Sequence, residues 1–443
     1  MSPTRPSADT HPDNRWAVTH AHARAVLVSV VAGLGALLAQ RPDILLMGAP
    51  LAMIALWSVL TRPATVPSTR LVVTDSRLQE GQWGRAVVGV ETASNTELVS
   101  TSLARGPNME TFPKHGARLH LLTDKDRERP ELHLFTRIKA GRWGVRRVGP
   151  GLVGATSPWG AFRWGPVPLD DLRIRVLPDP ATFNTGAPAP HPLGLVGLHR
   201  SRFPGDGSEF NTIRPFQWGD RLKRIHWARS LRTNELHVTS SYADQDTHVA
   251  IIVDAHYDLG VSDAAEGLSS TLDYSVRAAA AIAEHFLHQG DRVSLQVLSA
   301  RTPLHLPPGS GRRQSRRLLD ALSQVQAHPQ EEIDPRRLRR GLGPGALVVM
   351  ISAMVAPGPL AQAALLSRSG LQVVVIDSLV DDVQPPGERD DIARLGWRIR
   401  LMERDAEVRR VRGEGVPVVP WRGPGSLDQV LRMLSRHRQG AGR

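Results

Sequence analysis

The chain has 443 residues, a formal net charge of +12 and no cysteine. That length holds two or three domains, and the missing cysteine excludes disulfides, thiolate nucleophiles, cysteine zinc sites and iron–sulfur clusters. Arginine carries almost all of the positive charge, with lysine only at Lys114, Lys125, Lys139 and Lys223, and such a chain is drawn to anionic surfaces: lipid is expected ahead of nucleic acid.

Residues 1–24 are polar, with Pro, His and Asp, and are predicted to be disordered. Two uncharged apolar segments follow, Ala25 to Ala39 and Ile44 to Leu60, within 25–61. Each is at the short end of the roughly 17–25 residues that cross a bilayer. The turn Gln40-Arg41-Pro42-Asp43 joins them into a transmembrane helical hairpin. Arg15 and Arg24 precede the first segment, Arg62 and Arg70 follow the second, and only Arg41 lies between, partly offset by Asp43. The positive-inside rule then places both termini and the soluble domains in the cytoplasm.

From 68 to 180 the pattern changes to short strands: Leu71 to Val73, Arg85 to Val90, Arg118 to Leu122, Glu131 to Ile138 and Leu172 to Leu177. Leu132, Leu134 and Thr136 alternate with His133, Phe135 and Arg137, a period of two that predicts half-buried strands. An all-β sandwich is the expected fold. Trp143, Trp159, Phe162 and Trp164 are expected to fill its ends. Residues 181–206, rich in Pro, Gly and His, read as an extended linker.

Residues 207–443 form the last predicted domain. It opens with an Arg- and Trp-rich block, Gly207 to Val238. Trp218-Gly219-Asp220 reads as a tight turn across which Arg214 and Asp220 are close enough to pair. Trp227 stands between Arg224 and Arg229, where guanidinium stacking on a buried indole is expected. Strands are then predicted at His248 to Asp254, Val293 to Leu298, Ala346 to Ser352, Leu371 to Asp377 and Val416 to Trp421. Helices are predicted at Leu272 to Gln289, Ser315 to Val325, Leu360 to Leu366 and Leu427 to Leu434. Alternating strands and helices predict an open, mostly parallel α/β sheet, Rossmann-like, with helices on both faces.

Glu209-Phe210, Arg214, Phe216, Gly219-Asp220, Ile225, Trp227, Ser230 and Arg232 together resemble the signature of the DUF58 family. Gly141-Arg142-Trp143, Val148-Gly149-Pro150 and Ser157-Pro158-Trp159-Gly160 resemble turns of its front β-domain. The resemblance implies a membrane-anchored front half and a von Willebrand A-like α/β domain, and partnership with a MoxR-type AAA+ ATPase in envelope-related assembly. It also implies a metal at the sheet end, held by Asp-x-Ser-x-Ser, a Thr and a later Asp. Here His256 and Asp258 stand where the two serines would be, and Ser352-Ala353 stands where many relatives have Ser-Asp. No cofactor is therefore expected, and Asp254 is expected to cap its strand. Mg²⁺, or zinc or manganese on Asp254, His256 and Asp258, is the alternative. At His226, where relatives usually have Asp, a titratable donor is expected in place of an acceptor.

The sequence has no Gly-x-Ser-x-Gly, no Walker A loop and no His-Glu-x-x-His. Arg312-Arg313, Arg316-Arg317, Arg336-Arg337 and Arg339-Arg340 form a basic run without the interleaved aromatics of a nucleic-acid platform. The expected protein is a non-enzymatic, membrane-anchored adaptor with Glu209, Arg214, Gly219, Asp220, Trp227 and Arg232 at its interaction segment. A metal-dependent ligand-binding domain and an envelope hydrolase are the rivals.

Overall fold

The computed structural model describes residues 14–180 and 200–421, apart from 105, 219, 221, 245–247, 265, 299–303, 329–337, 340, 344, 357, 381–382 and 384–390, together with residue 426. Contacts divide the chain into two units, Met1–Leu177 with Asp263–Glu266, and Pro178–Ser262 with Gly267–Arg443.

The first unit runs β1 (Trp16–Val18), α1 (His20–Ala39), α2 (Pro42–Leu60), β2 (Ser68–Val73), β3 (Arg77–Gln79), β4 (Trp83–Glu91), β5 (Leu98–Leu103), β6 (Met109–Phe112) and β7 (Arg118–Leu121). After a one-turn helix, α3 (Asp124–Arg127), come β8 (Leu132–Ala140), β9 (Gly144–Val148), β10 (Gly151–Thr156), β11 (Phe162–Leu169) and β12 (Leu172–Leu177). The strands make three sheets, ordered β1-β11-β10-β5-β7, β2-β4-β8-β6 and β3-β12-β9. All three send side chains into one core, among them Val88, Val99, Ile138, Val153, Trp164 and Ile174.

Both α1 and α2 are long and apolar enough to cross a membrane. They pack closely: a Cβ built on Gly48 would stand 2.7 Å from the Ala32 Cβ. Ser29 turns its hydroxyl back to the Ala25 carbonyl at 2.7 Å, so small residues form the contact, as in helix pairs that associate without a hydrophobic drive.

Two expectations for this unit need correction. Residues 14–24 are ordered, because β1 pairs antiparallel with β11 and buries Trp16, and α1 begins at His20 with Thr19 as its cap. Residues 1–13 lie outside the described residues. Trp143, Phe162 and Trp164 are buried, but Trp159 is 65% exposed in a turn where its own φ is +59°. The strands β3, β5, β6, β9, β10 and β11 had no place in the sequence reading. Gly149, Pro150 and Gly154 break the apolar run over β9 to β11, so that it resembled a chain of turns. In β5 the alternation is carried by Val, Thr and Leu, of which Val99, Thr101 and Leu103 are buried.

The second unit opens with a hairpin of β13 (Arg200–Pro215) and β14 (His237–Asp244), with α4 (Trp227–Thr233) between them. The first strand begins inside the stretch expected to be linker; residues 181–199 lie outside the described residues. Then follow β15 (His248–Asp254), α5 (Thr271–His288), β16 (Arg292–Leu298), β17 (Leu304–Gly309), α6 (Gly311–Leu322), β18 (Leu347–Ser352), α7 (Gly358–Arg368), β19 (Gln372–Asp377), α8 (Asp391–Gly413) and β20 (Val418–Pro420). The expected helix at Leu427 to Leu434 lies outside the described residues.

The sheet order is β17-β16-β15-β18-β19-β20, and only β17 runs antiparallel. Strand alternation sends Ala250, Ile252, Val348, Met350, Val373 and Val375 to one face, where Leu360, Ala363 and Leu366 of α7 and Val408 and Val411 of α8 cover them. Helix α5 packs over β15, β16 and β18. It starts on a reciprocal capping box between Ser270 and Asp273 and stops before Gly290, whose φ is +88°.

Candidate functional site

The chain order steps outward from β15 in both directions, toward β16 on one side and β18 on the other, so the sheet has its topological switch point between β15 and β18. Asp254 ends β15 and Ser352 ends β18 at that point. Their side chains meet: the Ser352 hydroxyl donates to Asp254 Oδ2. Asp254 Oδ1 accepts from the His256 backbone N–H at 3.1 Å, and the His256 ring Nδ1 lies 2.5 Å from the same oxygen. Against an ionised carboxylate that nitrogen is the donor. Asp254, His256 and Ser352 are all buried.

The rest of this sheet end is tied in the same way. The Met354 N–H donates to Ser352 Oγ at 2.8 Å, which holds Met354 at a φ of +56°. The Ser378 N–H donates to the Ser352 carbonyl at 3.1 Å, and Ser275 and Ser378 share a hydroxyl pair at 2.8 Å. Asp377, at the end of β19, accepts from the Leu379 N–H at 3.0 Å and meets Arg404 of α8 at 2.5 Å. Arg404 is itself buried and donates through Nε to the Ala353 carbonyl at 2.9 Å.

The expected metal residues divide. Asp254 and His256 come together, whereas Asp258 accepts from the Leu272 N–H at 3.3 Å at the start of α5. Among the described residues no group of three or more His, Cys, Asp or Glu is placed to hold a metal ion. Both oxygens of Asp254 face protein donors, and Ala353 offers no ligand, so these residues do not match the octahedral oxygen cage that Mg²⁺ demands.

Arg404 was not visible beforehand, because α8 places Arg400 and Arg404 among Trp397, Leu401, Val408 and Val411 and so blurs its apolar stripe. The spacing of those four apolar residues was the available signal. His285 Nε2 accepts from the Gln289 side-chain amide at 2.9 Å at its own helix end, and His288 Nδ1 donates to the Glu284 carbonyl at 2.8 Å.

The signature block forms a second candidate site. Arg214, on β13, grips Asp220 with both guanidinium nitrogens, at 2.8 and 2.6 Å. Asp220 Oδ2 also accepts from the Gln217 N–H at 2.9 Å. The hydrogen bonds from Arg214 and then from Gln217 hold the Asp220 carboxyl below the usual carboxylate range. Ser230 is buried and staples α4 to β14, donating to the His226 carbonyl at 3.0 Å and accepting from the His237 N–H at 2.9 Å. At the head of α4, His226 Nδ1 accepts from the Arg229 N–H at 3.2 Å. The imidazole therefore keeps the role of acceptor that an N-cap carboxylate would have, contrary to the donor expected from its sequence.

The indole of Trp227 is 61% exposed, and among the described residues no guanidinium lies over it. The expected buried Trp is thus corrected: Ser230 takes the inward position of α4. Trp218 is fully exposed, and Leu222 and Leu231 are exposed as well, with Arg229 and Arg232 beside them in sequence. Glu209 lies within β13, and Gly219 lies outside the described residues. The four arginines 312, 313, 316 and 317 of α6 are exposed.

Fold and site together define a chain of two apolar helices, a β-rich region, and an α/β region with a mixed sheet that an Arg/Trp segment precedes. Residues 212–387 match the family model described as protein of unknown function DUF58. The chain is also similar to uncharacterized proteins of Mycobacterium bovis and Mycobacterium tuberculosis, each 27% identical over 282 residues, which cover 56% of this chain and 85% of the relative.

Proposed function

We propose that this protein is a membrane-anchored, non-enzymatic adaptor that presents its Arg/Trp segment to a protein partner. The carrying observation is the pairing of rigidity and exposure in that segment. A bidentate Arg214–Asp220 clamp and the Ser230 staple hold it, while Trp218, Leu222, Trp227 and Leu231 face solvent. Pre-ordered Trp and Arg side chains are the residue types that dominate interface energetics. By resemblance the partner is a MoxR-type AAA+ ATPase, and the setting is envelope-related assembly.

In this reading α1 and α2 span the cell membrane with both ends in the cytoplasm, as the arginine distribution favours. The β-rich unit is a β-sandwich and the α/β unit is von Willebrand A-like. Support for the latter comes from the sheet order with its single antiparallel edge strand. The hydrogen-bonded state of Asp254, Ser352 and His256 supports a domain that works without an ion. The exposed arginines of α6 supply a face for anionic lipid or an acidic partner surface.

The test is binding of the full chain, in lipid nanodiscs, to the MoxR-type ATPase of the same cell. Trp227→Ala and Trp218→Ala are each expected to weaken binding by about 10-fold or more, the loss typical of an anchoring Trp. Unchanged affinity in both variants would overturn the assignment of this segment.

A further inference from the structure

Trp159 is the feature that the fold leaves unexplained. It is 65% exposed, in a turn (Pro158–Gly160) where its backbone holds a φ of +59°, a conformation uncommon outside glycine. The Glu97 carboxylate fixes that turn by accepting from the Trp159 N–H at 3.1 Å. The residue is thus held on a fixed turn with most of its surface open to solvent.

The position of the turn relative to the apolar helices is set by direct contacts. Thr19, the cap of α1, donates its hydroxyl to the Gly160 carbonyl at 2.7 Å and its N–H to the Ala161 carbonyl at 3.0 Å. The buried ring of His22 packs on Phe162 at 5.5 Å. On the other helix, α2 touches the same turn. Arg62, just past the end of α2, lies over the Phe162 ring at 5.4 Å, and Trp16 Nε1 donates to the Thr65 carbonyl at 2.8 Å. Both feet of the hairpin are therefore bonded to one corner of the β-rich unit.

Helix length then fixes the level of that corner. At 1.5 Å per residue, the 20 residues of α1 and the 19 of α2 reach about 30 and 28 Å, and the hydrocarbon layer alone is about 30 Å thick. The polar start of α1, His20 to Arg24, adds only about 7 Å, about the depth of the headgroup layer, so no longer helical spacer lifts the β-rich unit off the bilayer. The turn bonded to Thr19 must sit within the headgroup layer, where an exposed indole is favoured because its ring is apolar and its N–H polar. Arg15 and Arg62 are exposed at the same feet of the hairpin, where lipid phosphates would meet them.

We propose that the Pro158–Gly160 turn is a membrane-interface anchor, with Trp159 seated among lipid headgroups and Arg15 and Arg62 facing headgroup phosphates, so that the β-rich unit lies directly on the bilayer. The proposal rests on the reading that α1 and α2 span the membrane. It adds a third, non-helical contact that the hairpin alone does not require.

The chain has no cysteine, so single labelling sites can be introduced without background. Trp159→Cys, and separately Pro158→Cys, which leaves Trp159 in place, would carry an environment-sensitive fluorophore. The full chain would be reconstituted in vesicles of phosphatidylcholine and phosphatidylglycerol. Leu34→Cys in α1 reports the spanning state, and Asp170→Cys, beyond the far end of β11 from Phe162, reports water. The expected result is blue-shifted emission at 158 and 159, quenching by lipids spin-labelled near the headgroup, and loss of the iodide quenching seen at 170. Iodide quenching at 158 and 159 equal to that at 170, with 34 quenched by lipid, would overturn the anchor and leave the spanning hairpin intact. Iodide access at 34 as well would overturn both.

Discussion

Replacing Asp254 by alanine tests whether the sheet end is held by hydrogen bonds or by an ion. The substitution removes both oxygens that the Ser352 hydroxyl, the His256 N–H and the His256 imidazole use. Asp254 and His256 are each 8% exposed, so water cannot replace the lost acceptor freely. The Ser352 hydroxyl can rotate, so the loss falls on the two His256 donors, which no longer have the Asp254 oxygen to donate to. At about 1–3 kcal/mol for each buried donor left unsatisfied, the cost is about 2–6 kcal/mol. Asp254→Asn can keep the oxygen that both His256 donors use and gives up only the Ser352 hydrogen bond, so it is expected to cost less, about 0.5–1.5 kcal/mol. Thermal unfolding of the full chain in detergent, combined with amide exchange of β15 and β18, measures both. Losses should be confined to the α/β unit and should not depend on Mg²⁺ or Mn²⁺. The reasoning is refuted if Asp254→Ala is as stable as the parent chain. It is refuted equally if a divalent ion stabilises the parent and the gain vanishes in the variant, because Asp254 would then be a ligand.

Three further outcomes are expected. His226→Ala removes the acceptor at the head of α4 and should destabilise that helix by about 0.5–2 kcal/mol, whereas His226→Asp should match or exceed the parent; amide exchange of Arg229 reads the difference, and a weaker cap in the Asp variant would contradict the acceptor role. Gly48→Leu forces α1 and α2 apart and should cost about 1–3 kcal/mol, while Gly33→Leu, with nothing within 4 Å, should be neutral in a detergent melt. His248 is half-buried, 2.8 Å from Ser294 Oγ, and burial, then the nearby charge of Arg292, lowers its pKa. Its neutral form is favoured in the folded state, so its contribution is complete above the unfolded value of about 6.5 and is lost as pH falls through the lowered folded value. Partial exposure keeps that loss small, and His248→Gln should flatten the acid slope of the melting temperature; identical slopes in the two proteins would exclude His248 as its source.

Much of the α/β unit was legible because its signals are local. His248–Asp254, Leu347–Ser352 and Gln372–Asp377 are continuous apolar runs, and a strand buried on both faces needs nothing else to be recognised. The apolar face of α5 repeats at helical spacing, and Gly290 marks its end. Arg214 and Asp220 could be matched in sequence because a tight turn brings residues six apart together. Strands β9 to β11 were hidden for the opposite reason: their glycines and prolines read as turns, and only pairing with β5, β12 and β1 makes them strands. Helix α8 was hidden because Arg404, a charged residue at a buried position, finds Asp377 only in the folded sheet.

The amino-acid sequence by itself therefore determined the two apolar helices, the division into β-rich and α/β regions, and the residues that carry the family resemblance. These depend on hydrophobic period and on neighbours close in the chain. Tertiary structure alone decided which of those residues meet. It brought Ser352 to Asp254 across 98 positions, turned Asp258 away to α5, and exposed Trp227 while burying Ser230. It also bonded Thr19 to Gly160, placing an exposed Trp beside the feet of the apolar helices. Contacts of that kind have no local signature, because the distance between two side chains is set by strand order and register rather than by their separation along the chain.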